Sequence, residues 1–600
     1  MAELDEKKAL FVVIFKDESE RQQYVDIFSN LQFLSHPYLK EMEFIMLPKN
    51  ENLAVACNSA IKNTDAKYKF FLTAPITFFD PFVIRDVLNN FFDFPNIGMV
   101  GLLGSEMPIS GDYTQAKNLY GKYFFLEDAQ NVNGHCGKMP LYYQTVHMID
   151  EGFFAMSGDI PFDEDVGENF VMAAQCCRYR RAGFDISVTY SESVKIIFLK
   201  DRCIYNAKND VENYKRQLEF FRIRYKDIVT PLVSICIPTY NQPVFFEMAL
   251  QSALNQTYPN IEIIVGDDST NEYVKNMIQP YLQIYDNIKY FYHGRPLGKK
   301  GLRNVTFIVN KASGKYINVL FHDDILVAEK ISRMMEYFVN DLEGKITLIT
   351  SARSMINEKK EIMGRMNPLQ PLEDEILNGE KVGRSILFTG INFIGELSTV
   401  LFKKSNLLAR DFETYEEIFD IGIFCGVKDV AYGDMGTWLN LLKYGGECVF
   451  LKDRLSAFRR HSQQNTDDPY VLIRGRLEIL LYVTISWLNN IYLHNFEEYK
   501  IACKGWTRFI EPKYLDENFF KELLDSLETD EVEFLKDTVT KLFYYVHSEK
   551  FSEVLDCSIR FLLEVLPEKN SIRPLIRQNK KTGLWEKADD GIMLHGEQRY

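Results

Sequence analysis

A pair of carboxylates, Asp267 and Asp268, directly follows an apolar, strand-like run at residues 261–266. A carboxylate at the end of such a strand can accept a hydrogen bond from the N–H of a nucleotide base or from a ribose hydroxyl. A polar turn in which Asp268 or Ser269 caps the next helix explains the same residues. The pattern therefore predicts either a nucleotide-binding site or a capped turn.

A second pair, Asp323 and Asp324, follows the apolar residues 316–321 and a histidine. Adjacent carboxylates at a strand end suit a hard cation such as Mn²⁺ or Mg²⁺, which keeps open positions for diphosphate oxygens. As a single acidic turn this pair would carry little weight. Two such pairs at one edge of a predicted sheet are harder to dismiss, and they favour a metal and nucleotide site.

Two further residues have side chains that can do chemistry. Asp434 lies in the first turn of a predicted helix, where its carboxylate can act as a general base or simply complement the helix dipole. His461 follows a predicted strand at residues 447–451 and a loop. It can complete a metal shell, although a lone histidine is more often an ordinary surface residue.

A basic cluster lies just before the second acidic pair, between glycines. In an acidic chain it is the best local site for a diphosphate, although a solvated helix face explains it nearly as well. Its members are Arg295, Lys299, Lys300 and Arg303.

Short apolar strands alternate with amphipathic helices from residue 231 onward, beginning with a strand at 233–238 and a helix near 244–255. This alternation predicts an α/β fold with a doubly wound, largely parallel sheet. Ligands of such sheets bind beyond the carboxyl ends of the strands, where the acidic pairs lie.

The chain is divided into four segments. We predict an α/β domain at 1–205, a helical linker at 206–230, the chemically active domain at 231–470 and an α-helical domain at 471–600. Residues 58–72 parallel residues 304–320 if two positions are gapped, so the first domain is a relative of the third.

The composition excludes several classes of partner and location. The net charge of −15 argues against nucleic acid, because neutralising phosphates requires a basic face. The N-terminus has no signal-like layout, and no apolar run reaches the ~18 residues of a membrane span. The ten cysteines follow no metal or disulfide spacing. These features predict a cytoplasmic protein, with peripheral contact to the inner face of a membrane and homo-oligomerisation left open.

In this order and spacing, the motifs resemble those of the family 2 glycosyltransferases, which have the GT-A fold and invert the anomeric centre. The resemblance extends over about 235 residues. The residues that carry it are Pro238 to Asn241, Asp267 to Ser269, Asn304, His322 to Asp324, Gly395-Glu396, Gly433-Asp434, Trp438 and His461.

The resemblance implies a role for each residue. Asp434 would be the catalytic base, Glu396 and Trp438 would line the acceptor or sugar pocket, and Asp324 and His461 would bind Mn²⁺ or Mg²⁺. The nucleotide-sugar set would consist of Pro238, Tyr240, Asp267, Asp268, Arg303, Asn304 and Asp323, with Tyr240 and Asp268 at the base. Where the family usually has a Glu-Asp pair, this chain has Gly433-Asp434.

The first domain departs from these motifs. Aligning Lys67-Tyr68 with Lys315-Tyr316 places Ala74-Pro75-Ile76 opposite the second acidic pair, and Met172 stands where the base would be. We predict a degenerate, non-catalytic glycosyltransferase-like domain. The run Asp163-Glu164-Asp165 leaves room for a different chemistry there.

The sequence thus predicts a metal-dependent hexosyl- or N-acetylhexosaminyltransferase that moves a sugar from a nucleotide-sugar, with UDP-sugars favoured. Its acceptor would be a hydroxyl of a glycan, a lipid-linked glycan or a protein. The alternative is a catalytically silent binding or scaffold protein of a glycan assembly complex. A sugar nucleotidyltransferase is disfavoured, because residues 238–243 lack a Gly-rich, basic phosphate loop.

Overall fold

The computed structural model describes most of the 600-residue chain. The described residues are 4–29, 39–48, 52–73, 76–78, 82–108, 110–116, 118–126, 132–138, 143–189, 196–198, 210–298, 301–365, 371–408, 433–443, 445–462, 469–507, 538, 541–542, 544–546, 548–565 and 575–588. The chain divides into two compact units. Unit 1 comprises residues 1–231 and 335–343, and unit 2 comprises residues 232–334 and 344–600.

Unit 1 is an α/β unit that contains two sheets. Its strands are β1 (Asp5–Phe15), β2 (Glu41–Pro48), β3 (Ala66–Leu72), β4 (Ile76–Phe78), β5 (Ile97–Gly101), β6 (Leu103–Ser105), β7 (Leu119–Leu126), β8 (Val132–Cys136), β9 (Tyr143–Val146), β10 (Met148–Ile149), β11 (Phe153–Ser157), β12 (Asp185–Thr189) and β13 (Ile196–Phe198). Its helices are α1 (Glu18–Ser29), α2 (Leu53–Lys62), α3 (Val83–Asp93), α4 (Val171–Arg181), α5 (Val211–Arg224) and α6 (Lys226–Val229).

The main sheet of unit 1 has the strand order β2-β1-β3-β11-β5-β12-β9. The residues from Ala9 to Ile14 of β1 are buried without alternation, as expected of a parallel strand that is covered on both faces. Phe11 stacks between Phe44 and Phe70 of the neighbouring strands, at centroid distances of 5.2 and 4.8 Å. Aromatic packing along the strands therefore supplies much of this core.

Unit 2 contains most of the remaining elements. Its strands are β14 (Val233–Thr239), β15 (Ile261–Asp267), β16 (Ile288–Tyr292), β17 (Tyr316–Val319), β18 (Ile325–Leu326), β19 (Ile346–Ile356), β20 (Ile362–Arg365), β21 (Glu375–Asn378), β22 (Leu401–Lys403), β23 (Glu447–Arg459), β24 (Ile576–Gln578) and β25 (Trp585–Lys587). The helices that follow α6 along the chain are α7 (Pro243–Leu254), α8 (Tyr273–Ile284), α9 (Leu302–Lys311), α10 (Lys330–Asn340), α11 (Gly379–Thr389), α12 (Lys404–Leu408), α13 (Gly433–Leu442), α14 (Pro469–Leu488), α15 (Phe496–Thr507) and α16 (Phe551–Val565).

The large sheet of unit 2 has the order β16-β15-β14-β17-β22-β19-β23-β18. The first four of these strands are parallel and alternate with helices along the chain, which confirms the predicted α/β fold. From β22 onward the sheet is mixed, because β22 runs antiparallel to both of its neighbours. The parallel half therefore brings the ends of β14, β15, β16 and β17 to one edge.

Strand β23 is longer than the sequence predicts. It continues past residue 451 to Arg459, so His461 lies two residues beyond the strand rather than after a loop. The sequence predicts an end at residue 451 because the polar residues Lys452 and Asp453 interrupt the apolar pattern. Both are exposed, at the point where the pairing with β19 shifts register. The last part of the strand also pairs with β18, which follows the Asp323-Asp324 pair.

The two units repeat one topology. In unit 1, β1 pairs in parallel with β2 and β3, as β14 does with β15 and β17 in unit 2. Strand β11 then corresponds to the antiparallel β22, and β5 and β12 correspond to the parallel pair β19 and β23. The weak internal repeat in the sequence therefore reflects a duplicated fold.

The C-terminal helices share a core with the sheet of unit 2. Tyr492, between α14 and α15, donates a hydrogen bond from its hydroxyl to the carbonyl of Leu439 in α13, at 2.6 Å. Arg384 of α11 bonds to Glu498 of α15 at 2.9 Å. Strands β24 and β25 add a short hairpin to these helices. No helix in the described part of the chain is long and apolar enough to cross a membrane.

Helix α5, within the segment that the sequence predicts as a linker, belongs to unit 1 and packs against the rest of that unit. The carboxylate of Asp163 is almost completely buried and accepts hydrogen bonds from Arg224 and from the hydroxyl of Tyr225, at 2.5 and 2.6 Å. Tyr214 of α5 likewise bonds to Asp112 at 2.6 Å. The 163–165 acidic run therefore fastens this helix, which explains its residues without a second chemistry.

Replacing Asp163 by alanine is expected to lower the free energy of unfolding by about 2–4 kcal/mol, because it strands the hydrogen-bonding groups of Arg224 and Tyr225. Urea denaturation followed by circular dichroism measures this. The control is Arg21→Ala, which removes an exposed pair with Glu18 that should contribute at most about 0.5 kcal/mol. Equal effects of the two substitutions would contradict the buried role of Asp163.

Candidate active site

The predicted site residues begin at the carboxyl edge of the parallel strands in unit 2. Thr239 at the end of β14 lies in register with Asp267 at the end of β15, and Asp267 lies in register with Tyr292 of β16. The segment that contains Asp323 follows β17, which pairs with the other side of β14. One edge of the sheet therefore presents the residues that the sequence places after each strand.

The loops after β14 and β15 are bonded together. Asn241 has a left-handed backbone (φ 51°), and its N–H donates to the hydroxyl of Ser269 at 2.8 Å. Its side-chain oxygen accepts from the N–H of Thr270 at 3.1 Å. Pro238 is buried within β14, whereas the ring of Tyr240 is 45% exposed. The bonded loops hold Tyr240 at the surface of the site, where a base can stack on it.

The two carboxylates of the first acidic pair have different environments. Asp267 is completely buried, and its oxygens accept from the N–H of Ser269 and the hydroxyl of Tyr290, at 2.9 and 2.5 Å. Asp268 accepts from the N–H of Leu297 through Oδ2 at 3.2 Å. Burial raises the pKa of Asp268. Asp267 thus stabilises the edge, and Asp268 is the member left with bonding capacity for a ligand.

Asn304 connects helix α9 to strand β15. Its buried side chain donates to the carbonyl of Gly266 at 2.8 Å. A Cβ at Gly266 would lie 2.0 Å from the Asn304 side-chain oxygen, so only glycine allows this approach. Arg303, the preceding residue, is exposed on the first turn of α9, and Lys299 and Lys300 of the predicted basic cluster lie outside the described residues.

The second acidic pair is held close to His461. The imidazole Nε2 of His461 lies 3.1 Å from Oδ2 of Asp323. Although burial alone would raise it, this bond and the charge of His322 lower the pKa of Asp323. Asp324 is 3% exposed, and burial followed by the charges of Asp323 and Glu396 raises its pKa well above the usual value. The site thus contains two adjacent carboxyl groups with opposite pKa shifts.

Arg459, which the sequence analysis missed, supports this pair from within the protein. Its guanidinium is completely buried and donates through Nε to the carbonyl of Asp323 at 2.8 Å, while its backbone N–H donates to Oδ1 of Asp324 at 3.2 Å. The ring of Phe245 lies 4.8 Å from the guanidinium carbon and 5.2 Å from the His461 ring. One arginine therefore orients both aspartates and, through Phe245, the histidine.

Asp434 lies at the start of α13, as predicted. Its Oδ2 accepts from the side-chain amide of Asn392 at 2.9 Å, and its Oδ1 accepts from the N–H of Met435 at 2.8 Å. Burial, and then the negative charge of Glu396, raise the pKa of Asp434 to about 6. A carboxylate with this pKa is ionised at neutral pH and still basic enough to accept a proton.

Glu396 links the second acidic pair to Asp434, since its charge acts on both Asp324 and Asp434. It pairs with the buried Arg353 of β19, with Nε to Oε2 at 2.7 Å and Nη2 to Oε1 at 3.0 Å. The carboxylates that are far apart in the sequence are therefore close enough to interact. Arg353 and Asn392 belong to no recognisable motif, so they could not be identified from the sequence.

Trp438 differs from the prediction in its surroundings. Its side chain is completely buried in the core of unit 2, and the indole N–H donates to the carbonyl of Gly395 at 2.8 Å. The tryptophan therefore supports the loop that carries Glu396 from behind.

The donor set at the second acidic pair has the chemistry of a hard-cation site. Asp324 is a buried carboxyl whose nearest charges include two further carboxylates, and a divalent cation would relieve that repulsion. The imidazole of His461 stands beside the pair. Within the described residues no three such side chains are already arranged around a single ion position. The residues present fit a cation that is also held by the diphosphate of a ligand.

The corresponding positions in unit 1 carry no acid. Met172 is the second residue of α4, as Asp434 is the second residue of α13, and each helix precedes a corresponding strand. Its side chain is buried in the core. Ile76, in the place of the second acidic pair, is a completely buried strand residue, while Ala74 and Pro75 lie outside the described residues.

Two family models match the chain. The model described as "Glycosyltransferase like family" matches residues 10–221, and the model described as "Glycosyl transferase family 2" matches residues 234–394. The first match lies within unit 1, and the second begins one residue inside β14.

Curated relatives give a consistent picture over different lengths. The GalNAc(5)-diNAcBac-PP-undecaprenol beta-1,3-glucosyltransferase of Campylobacter jejuni is 34% identical over 285 residues, which are 46% of this chain and 81% of that protein. An uncharacterized glycosyltransferase of Rickettsia felis is 34% identical over 163 residues, 27% of this chain. The chain spans only 25% of the length of that Rickettsia protein.

Among solved structures, residues 1–349 of Staphylococcus aureus TarS with UDP-GlcNAc match at 13% identity and a TM-score of 0.37, over 60% of this chain and 97% of that one.

Lys330, at the start of α10, is completely buried and donates to the carbonyl of Thr399 at 2.8 Å. The charges of Arg353 and Asp324 act on it. Burial, and then the charge of Arg353, lower the pKa of Lys330 to about 7. An unfolded lysine titrates near 10.4, so between pH 7 and pH 10 the unfolded chain binds a proton that the folded chain does not. This group therefore makes the folded state more stable as pH rises through that range.

The stability difference between wild type and Lys330→Met is expected to shift in favour of wild type by roughly 1 kcal/mol per pH unit between pH 7 and 9. Urea denaturation of both proteins at three pH values measures it. Lys452→Met, at an exposed position of β23, is the matched control and should show a constant difference. A constant difference for Lys330→Met as well would contradict the buried, neutral lysine.

Proposed function

The chain belongs to the family 2 glycosyltransferases, and from this premise we propose that unit 2 moves a sugar from a nucleoside-diphosphate donor to a hydroxyl group with inversion. The observation that carries the proposal is that the loop of Glu396 contacts both sides of the site. Asn392 donates to Asp434 at 2.9 Å and to the carbonyl of Gly395 at 3.1 Å, and Ser398 accepts from the N–H of Phe321, close to the acidic pair, at 3.0 Å. A single displacement at the sugar C1 requires a base beside the attacking hydroxyl and, within the same site, acidic residues that hold the diphosphate end of the donor through a cation.

Asp434 is the general base of this proposal. Its carboxylate accepts the proton of the acceptor hydroxyl while that oxygen bonds to the sugar C1. The bond from C1 to the diphosphate oxygen breaks at the same centre, and in-line attack inverts the configuration. Asn392 orients the carboxylate by its hydrogen bond to Oδ2. Glu396, fixed by Arg353, accepts from hydroxyls of the sugar or the acceptor.

The donor nucleotide binds at the edge formed by β14, β15 and β16. Tyr240 offers an exposed ring for stacking on the base, and Asp268 offers an acceptor for a base N–H. Asp323 lies toward the ribose or sugar, and Arg303 at the first turn of α9 attracts the diphosphate. In this proposal Pro238, Asp267 and Asn304 shape the edge, because their groups are buried or bonded internally.

Asp324 and His461 would hold a divalent cation, Mn²⁺ or Mg²⁺. When bound, such a cation neutralises charge on a departing diphosphate. Arg459 keeps Asp324 in place for this through its backbone N–H, and Asp323 orients His461 at 3.1 Å. The raised pKa of Asp324 supports the assignment, since it reflects burial and then the charges of Asp323 and Glu396, all of which a cation would offset.

The acceptor that we favour is a lipid-linked glycan, with a free glycan or a protein hydroxyl as alternatives. The printed name of the Campylobacter relative describes transfer to an undecaprenol-linked glycan, and the match covers most of that protein. Unit 1 is a non-catalytic partner in this proposal. The buried Met172, at the position that corresponds to Asp434, supports this assignment. The role of unit 1 would be to bind the acceptor or another subunit.

Asp434→Asn is expected to lower the transfer rate at least about 100-fold, because the amide cannot accept the proton. Binding of the donor nucleotide should stay within about twofold of wild type. Release of UDP from UDP-sugars measures transfer, and calorimetric titration measures binding. Asp286→Asn, at an exposed position, is the control and should transfer at the wild-type rate.

In wild type, kcat/KM should rise with pH up to about 6 and then level off, because only the ionised form of Asp434 accepts a proton. A profile that is flat between pH 5 and 7, or full activity of Asp434→Asn, would overturn the assignment of the base.

Chelation by EDTA is expected to abolish transfer, and Mn²⁺ should restore it. Asp324→Asn should weaken Mn²⁺ binding at least about tenfold, as followed by electron paramagnetic resonance. The same variant should melt at a higher temperature than wild type when both are free of metal at pH 7, since it removes a carboxyl group whose ionisation is opposed by burial and by the charges of Asp323 and Glu396. Unchanged Mn²⁺ binding would contradict the metal assignment.

A further inference from the structure

His293 lies beside Asp268 beyond the ends of two adjacent parallel strands. Asp267 and Tyr292 are in register, and the N–H of His293 donates to the carbonyl of Asp267 at 2.9 Å. The next residues along the two strands, Asp268 and His293, therefore stand side by side. They are close enough for the imidazole charge to act on the carboxylate of Asp268.

Each of these side chains has one buried polar atom with bonding capacity to spare. Oδ1 of Asp268 and Nε2 of His293 are both buried, and neither has a hydrogen-bond partner among the residues that the structure describes. The other oxygen of Asp268 is bonded to the N–H of Leu297. Burying an unbonded acceptor and an unbonded imidazole nitrogen in one place is unfavourable, unless a ligand supplies partners for both.

The ring of His293 is held in a fixed orientation. Phe307 of α9 meets it edge to face, with centroids 4.8 Å apart and planes at 88°. The histidine has no part in the reaction proposed above, and it lies on the strand β16 side, away from the acidic pair after β17. Because the ring cannot reorient freely, its nitrogen can discriminate between nucleobases that bind at Asp268.

We propose that His293 and Asp268 together read the edge of the donor's nucleobase, and that this base is uracil. This inference rests on the proposed function and names a specificity residue for it. The uracil edge has one N–H flanked by carbonyl oxygens. Oδ1 of Asp268 accepts from that N–H. Nε2 of His293, in the tautomer that carries the hydrogen on Nε2, donates to a neighbouring carbonyl oxygen. Guanine would present an additional amino group beside its ring N–H, while Oδ2 of Asp268 is already bonded to Leu297.

The test is calorimetric titration of the full chain with UDP, GDP, 2-thio-UDP and 4-thio-UDP in the presence of Mn²⁺. Wild type should bind UDP at least about tenfold more tightly than GDP. One of the two thio analogues should bind about five- to tenfold more weakly than UDP, because sulfur is a poorer acceptor than a carbonyl oxygen.

His293→Ala should weaken UDP binding about tenfold and bind that thio analogue as well as it binds UDP. His293→Asn keeps a side-chain N–H and should recover part of the loss. His494→Ala, a half-exposed histidine elsewhere in unit 2, is the matched control and should bind like wild type. Melting temperatures of all variants show whether each is folded.

Three results would overturn the inference. Equal binding of UDP by wild type and His293→Ala would remove the base contact, and so would a loss that is identical for UDP and both thio analogues. Tighter binding of GDP than UDP would reject uracil. If wild type binds none of the four nucleotides, the proposed function itself fails, and this inference fails with it.

Discussion

Like charges that are buried together constrain the whole of unit 2. Asp323, Asp324 and Glu396 repel one another at one edge of the sheet, where little water is available to screen them. The chain balances them from behind with buried cations. Arg459 bonds to the backbone of the acidic pair, and Arg353 pairs with Glu396. Because each arginine lies on a strand of the sheet, this acidic edge keeps its geometry only while β19 and β23 keep their register.

Much of the fold could be predicted from the sequence, because the alternation of apolar strands and amphipathic helices is local information. Strands β14 and β15 lie within one residue of their predicted positions at each end. The site was predictable only where a polar residue follows a strand, as Asp268 and Asp324 do. Arg459 and Arg353 lie inside strands and touch the site through folding alone. The burial of Trp438 could not be predicted either, because an aromatic residue close to Asp434 in the sequence fits a ligand pocket and a core equally well.

The duplicated topology separates what the fold needs from what the chemistry needs. Both units keep three parallel strands, an antiparallel strand and a final parallel pair. In unit 2, the buried acids Asp267, Asp268 and Asp324 lie at or just beyond the ends of these strands. In unit 1 the position that corresponds to Asp434 is occupied by Met172, which is part of the core, and the acidic residue Asp163 binds helix α5. Apolar side chains at this place in unit 1 create none of the repulsion that unit 2 must balance, so the two copies stabilise the edge of the sheet by different interactions.

Gly395 adopts a backbone conformation with φ 103°, and a Cβ there would lie 2.6 Å from Nη1 of Arg353 and 2.7 Å from the hydroxyl of Thr399. The carbonyl of the same glycine binds the indole of Trp438. This one position is thus filled from three sides, by a neighbouring strand, by its own loop and by helix α13. A side chain at 395 would therefore strain the backbone and displace both Arg353 and Thr399, and displacing the arginine would take from Glu396 its counter-ion.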